Sequence, residues 1–147
     1  MKIPEREEGQ GLVEYALLLV LVAVVIIGIL TVLGSSVLIV YAKVIAGLHG
    51  QVITGQGTEV VVTGFDANVS AGAGGCVGTV RNISFIGLHD GALLESGSVS
   101  INFYINGSLV NTVNGTTDSS GSGELAGPVP VGGGSAGSSC NVEVRGG

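Results

Sequence analysis

The chain has 147 residues, enough for one ordinary domain or for one long helix joined to a small domain. Five Lys/Arg stand against eleven Asp/Glu, and only Lys43, Arg81 and Arg145 are basic after the first nine residues. That distribution excludes a nucleic-acid-binding face and leaves no basic patch for anionic lipid, so any membrane contact is hydrophobic.

Met1–Gly9 is short and hydrophilic, with three Glu against Lys2 and Arg6. From Tyr15 to Ala42 no residue is charged, and only Thr31, Ser35, Ser36 and Tyr41 interrupt the apolar run. That exceeds the roughly 20 residues needed to span a bilayer. A helix from Gln10 to Ala46 would be about 55 Å long at 1.5 Å per residue, well beyond the roughly 30 Å hydrocarbon core. The excess calls for tilt or for a second role outside the membrane. Apolarity all round leaves no wet face, so such a helix belongs in lipid or among other helices. Gly28, Thr31, Ser35, Ala42 and Ala46 fall on one side at 100° per residue, a stripe that permits close helix–helix approach or arises by chance. Gly47 and Gly50 read as the stop. The run is too long for the apolar region of a cleaved secretory signal, whereas a plain membrane anchor fits it.

The informative residues are Gly9-Gln10-Gly11-Leu12-Val13-Glu14-Tyr15, leading straight into Ala16-Leu17-Leu18-Leu19. A carboxylate at the head of a membrane helix is costly, about 2.5–3.5 kcal/mol near the bilayer centre, unless it sits at the interface, where the helix macrodipole favours it. A short leader ending in Gly, Glu five residues later and a long uncharged helix resemble a type IV prepilin. The Glu14-Tyr15 pair and the short leader resemble the tight-adherence (Flp-type) type IVb pilins. The resemblance covers roughly Glu8 to Ser36. Flp-type pilins usually end soon after the helix, whereas this chain continues for about a hundred residues.

The resemblance implies cleavage between Gly9 and Gln10 by a prepilin peptidase, and methylation of the new amino terminus at Gln10. It assigns Glu14 to pairing with a neighbouring subunit's terminal amine during assembly, with Tyr15 as its accompanying aromatic. A free α-amine has a pKa near 7.7–8.0, and a cation entering an apolar core needs an opposite charge. Such a pair would set axial register. The implied partners are other copies of the chain in a helical filament, the prepilin peptidase, the pilus assembly machinery and, before assembly, the inner membrane. The implied localisation is the cytoplasmic membrane for the precursor and an extracellular pilus afterwards, serving attachment.

Past Gly50 the periodicity becomes alternating. Val99, Ile101, Phe103 and Ile105 alternate with polar residues, and Asn106-Gly107 is a type I′ hairpin signal. A two-residue turn pairs Phe103 with Val110 and Tyr104 with Leu109. Further strands are expected at Glu59–Phe65, Val80–Leu88 and Asn141–Arg145, with Gly/Ser loops heaviest from Gly115 to Ser139. The expected fold is α+β: a long hydrophobic helix, then a small antiparallel β-sandwich-like domain of four to seven short strands. The expected division is a leader at 1–9, a helix at 10–49 and a Gly/Ser-rich β domain at 50–147. Cys76 and Cys140 form an even count in a small domain outside the cytoplasm, which favours one disulfide; two separate thiols are the alternative.

No catalytic, metal or cofactor site is expected. His49 and His89 are the only histidines and lack metal-ligand spacing. His89-Asp90-Gly91 reads as a turn. Gly72–Gly75 lacks the Lys-Ser/Thr of a phosphate loop. Asp66, Asp90, Asp118 and Glu124 are dispersed, and the Asn-x-Ser/Thr triplets at Asn68, Asn82, Asn106 and Asn114 are expected by chance in this composition. Besides the filament subunit, two alternatives stand: a surface β-domain binding module on a permanent anchor, and a minor pilin or pseudopilin of a secretion system.

Overall fold

The computed structural model describes residues 10–133 and 139–147. The chain divides into two compact units, with the division between Val37 and Leu38. A single helix, α1, runs from Gln10 to Leu48, so its last turns belong to the second unit. Eight strands follow among the described residues, and the fold is α+β.

The first unit is helix alone over its described residues. Val and Ile are mediocre helix formers in water, yet no Pro interrupts the run. Where no water can satisfy the backbone, a helix closes every N–H and C=O within its own segment. The end of α1 has a local cause. Gly50 adopts φ 69°, the Gln51 amide donates to the Ala46 carbonyl at 2.8 Å, and the Gly50 amide donates to the Gly47 carbonyl at 3.3 Å. This is a Schellman cap, which needs a residue free to turn left-handed; Gly50 supplies it.

In the second unit, β1 (Thr58–Gly72) and β2 (Gly75–His89) form a long antiparallel hairpin. The other side of β2 is shared by three short strands: β7 (Val129–Gly133) along Cys76–Val80, β6 (Ser122–Leu125) along Ile83–Ile86, and β3 (Ala92–Leu93) along Leu88–His89. A smaller sheet has the order β5 (Ser108–Thr116), β4 (Ser98–Ile105), β8 (Val142–Gly146).

Alternation gives each strand two faces. Val60, Val62, Val80, Ile83 and Phe85 of the larger sheet meet Val99, Ile101, Phe103, Ile105 and Val144 of the smaller one in the main core. The opposite face of the larger sheet presents Val61, Ile86 and Leu88, which pack on Ala42 and Ala46 of α1. The second unit is therefore three layers: helix turns, five-stranded sheet, three-stranded sheet. Two alanines at the contact let the helix lie close to the strands.

The strands differ from sequence expectation in three ways. β1 and β2 reach 15 residues each, longer than the expected segments, because pairing continues through polar residues to the Ala73-Gly74 turn. The stretch from Gly115 to Ser139 contains the end of β5 and two further strands, β6 and β7, in place of uninterrupted loop; Pro130 is tolerated there because β7 is an edge strand. The hairpin register is half as expected. Tyr104 pairs with Leu109, but Phe103 pairs with Asn111, because a bulge at Val110 adds one residue to β5. Asn106 (φ 49°) and Gly107 (φ 79°) form the type I′ turn. Asp90 (φ 50°) and Gly91 (φ 79°) form the equivalent turn between β2 and β3.

A disulfide joins Cys76, at the start of β2, to Cys140, just before β8. It ties the larger sheet to the segment that leads into the smaller one.

Candidate functional site

The segment of greatest functional content is α1 from Gly11 to Val37. Every large apolar side chain from Leu12 to Val37 is exposed, from 49% at Leu33 to 75% at Leu12. An apolar surface of that extent is far beyond what a soluble monomer shows. Gly11–Leu48 is long and apolar enough to cross a membrane.

Glu14 and Tyr15 lie in the second turn of α1, both exposed. Glu14 is the only charged residue from Gly11 to Ala42, and it stands four residues past Gln10, on the same helix face at 100° per residue. Gln10 is the first helical residue. Gly9, with the rest of the leader, lies outside the described residues.

The small-residue stripe divides between the two units. Ala42 and Ala46 are buried, at 0% and 1% exposure, against the β domain of the same chain. Gly28, Thr31 and Ser35 are exposed. The Thr31 hydroxyl donates back to the Gly28 carbonyl at 2.8 Å and the Ile27 carbonyl at 3.2 Å. Its polarity is thereby satisfied inside the helix, so it adds no orphan donor to an apolar environment.

The segment after the cap is clamped onto the larger sheet by two carboxylates. Glu59 accepts from the Thr54 hydroxyl and amide, both at 2.6 Å, and from the Gly55 amide at 3.1 Å. The Thr54 hydroxyl, more than the two amides, holds the Glu59 carboxyl below its ordinary range, with a partial offset from desolvation. Asp90 accepts from the Gly57 amide at 2.7 Å and returns its own amide to the Gly57 carbonyl at 3.0 Å. Thr58, His89 and Asp90 do line up as hydroxyl, imidazole and carboxylate, with 3.1 Å from Thr58 Oγ1 to His89 Nδ1 and 3.5 Å from His89 Nε2 to Asp90 Oδ2. The His89 and Asp90 side chains are 55% and 68% exposed, and the other Asp90 oxygen is held by Gly57. These contacts close the turn against the linker. Among the described residues no group of three or more His, Cys, Asp or Glu could hold a metal ion.

A second feature had no signal in the sequence. Between the last turns of α1 and the β6 side of the larger sheet lies an open cavity of about 530 Å³. Its wall includes Tyr41, Thr63, Ser84, Asp118, Ser122 and Glu124. Asp118 accepts from the Ser120 amide at 2.8 Å, the Ser120 hydroxyl at 2.7 Å and the Ser122 amide at 3.1 Å. Those bonds, the Ser120 hydroxyl foremost, keep its carboxyl below the ordinary range. The wall draws on residues from 38 to 124, and only the folded sheet brings them together.

Comparison with protein-family models, curated proteins and solved structures finds no match for the chain.

Proposed function

We propose that the chain is the precursor of a type IV pilin, the subunit of an extracellular filament assembled through α1. The observation that carries this reading is the helix from Gly11 to Val37: apolar on every side, exposed throughout, and charged only at Glu14. That segment corresponds to about 40 Å at 1.5 Å per residue. That exceeds the roughly 30 Å hydrocarbon core, so a membrane alone leaves part of it uncovered. Packing among copies of the same helix covers all of it.

Within this reading a prepilin peptidase cuts after Gly9 and methylates Gln10. The subunit waits in the cytoplasmic membrane with its β domain outside. On assembly, Glu14 compensates the terminal amine of a neighbour as both enter the apolar core, where an unpaired charge costs several kcal/mol. Tyr15 lies beside that pair. The exposed stripe of Gly28, Thr31 and Ser35 offers a place for a second helix to approach closely, and the disulfide-bonded β domain forms the outer layer that meets surfaces.

The test is intact mass and amino-terminal sequencing of protein sheared from cells. A chain beginning at Gln10, methylated there, is expected. A sheared or extracted chain beginning at Met1 overturns the reading in favour of a permanently anchored β domain. Glu14→Ala is expected to abolish sheared filaments while precursor remains in the membrane; abundant filaments from that variant would remove the role assigned to Glu14.

A further inference from the structure

The second unit carries opposite charges on opposite flanks of its helix. Leu38, Ile39, Ala42, Ile45 and Ala46 face the larger sheet. Tyr41 lies on one flank of that contact and lines the cavity described above. Lys43 lies on the other flank, about 160° round the helix from Tyr41 at 100° per residue, and is exposed. It cannot reach the cavity of its own chain.

Lys43 is also a cation with no carboxylate beside it among the described residues. Beyond Gln10 the chain has three basic residues. Arg145 pairs with Glu143 and lies over the Tyr104 ring at 5.2 Å. Arg81 stands directly opposite Asp66 in the β1–β2 register. Among the described residues Lys43 forms no ion pair. On the cavity side, Glu124 is exposed and its side chain makes no hydrogen bond or ion pair among the described residues. Asp118 is held in place by its own turn.

We propose that the Lys43 side chain of one copy enters this cavity in the next copy, with its methylene stem along Leu38 and Tyr41 and its ammonium between Asp118 and Glu124. The inference rests on the filament reading and specifies the contact made by the outer part of the helix. The stem suits an apolar wall and the ammonium a rim of hydroxyls and carboxylates. The symmetry fits as well. Two complementary patches on opposite flanks of the helix point away from each other, which favours a head-to-tail contact over a single self-complementary face. Repeated with a rotation that does not close into a ring, such a contact propagates as an open helical array.

The experiment uses the full-length chain expressed in its own filament-forming cells. Lys43→Glu and Glu124→Lys are each expected to lower sheared filament about tenfold or more, by placing like charges together, with membrane-bound precursor unchanged. The double reversal is expected to recover most of the yield. Lys43→Cys with Glu124→Cys is expected to give a ladder of dimers, trimers and higher species on non-reducing gels of oxidised filaments, since Cys76 and Cys140 are already bonded to each other. Wild-type yield from both single reversals, or no ladder from the cysteine pair, overturns the contact while leaving the filament reading intact. A wild-type protein that keeps Met1 and forms no fibre overturns both.

Discussion

The main core is built around one ring held between two glycines, and this makes a sharp prediction about Gly115. Phe85 is 1% exposed. A Cβ added at Gly115 on β5 would lie 2.7 Å from Phe85 Cζ and 3.2 Å from Cε1, with no backbone atom among its nearest contacts. Gly115→Ala therefore overpacks the Phe85 ring, at an expected cost of about 2 kcal/mol. For a domain of this size that lowers Tm by about 8–16 °C. Phe85→Leu removes the atoms in conflict, so the double variant is expected to be more stable than the sum of the singles by about 1 kcal/mol. Gly123 is the control. A Cβ there meets Phe85 Cζ at 2.3 Å but also the Thr116 carbonyl oxygen at 2.6 Å, and shortening residue 85 leaves that backbone conflict. Phe85→Leu should thus rescue Gly115→Ala and fail to rescue Gly123→Ala. Thermal unfolding of the detergent-solubilised chain followed by circular dichroism measures the wild type and all five variants. Strict additivity of Gly115→Ala with Phe85→Leu would refute the proposed packing.

Three further outcomes follow from the same structure. Cys76→Ser with Cys140→Ser opens a loop spanning a sequence separation of 64, worth about 4 kcal/mol on the chain-entropy relation; an unchanged denaturant midpoint would contradict it. Glu59 has its folded-state pKa lowered, so its contribution is full above the ordinary carboxylate value of about 4.3 and fades as pH falls through the lower folded value. Wild type should therefore exceed Glu59→Gln in stability at neutral pH and approach it in acid, and a pH-independent difference between the two would show that the clamp has another origin. Ala46→Leu forces α1 away from Val61 and Leu88, at about 2–3 kcal/mol; an unaltered melting temperature would mean that the helix turns contribute little to the second unit.

Legibility varied with the kind of signal. Strict alternation beside a turn dipeptide placed β4 and its Asn106-Gly107 hairpin correctly, since period and turn chemistry pointed the same way. The bulge at Val110 was invisible because it extends β5 without changing composition. β6 and β7 were hidden in a Gly/Ser-rich stretch, yet Gly123 is small for a packing reason, facing the Phe85 ring. Gly in this domain therefore marks close approach as well as turns. The charge-free helix and the isolated Glu14 were plain in the sequence because they depend on local composition. The cavity between α1 and β6 was not, because it is assembled from residues far apart in the chain.

The two ends of α1 show how one composition serves two environments. Ala42 and Ala46 continue the same small-residue stripe as Gly28, Thr31 and Ser35, but the β domain covers only the first pair. A permanent anchor needs only about 20 residues of apolar helix, and it gains nothing from an acid at the fifth position of α1 or from a rigid Schellman cap into a clamped linker. An assembly helix gains from each. Under the proposed filament reading the acid would set register, the stripe would set the spacing between helices, and the cap with the Glu59 and Asp90 clamps would hold each outer domain to its helix turns in the same way. A helical array repeats only if that attachment is the same in each copy. Loosening the clamp with Glu59→Gln should consequently reduce filament order before it reduces subunit export, and filaments of wild-type regularity from that variant would separate the clamp from assembly.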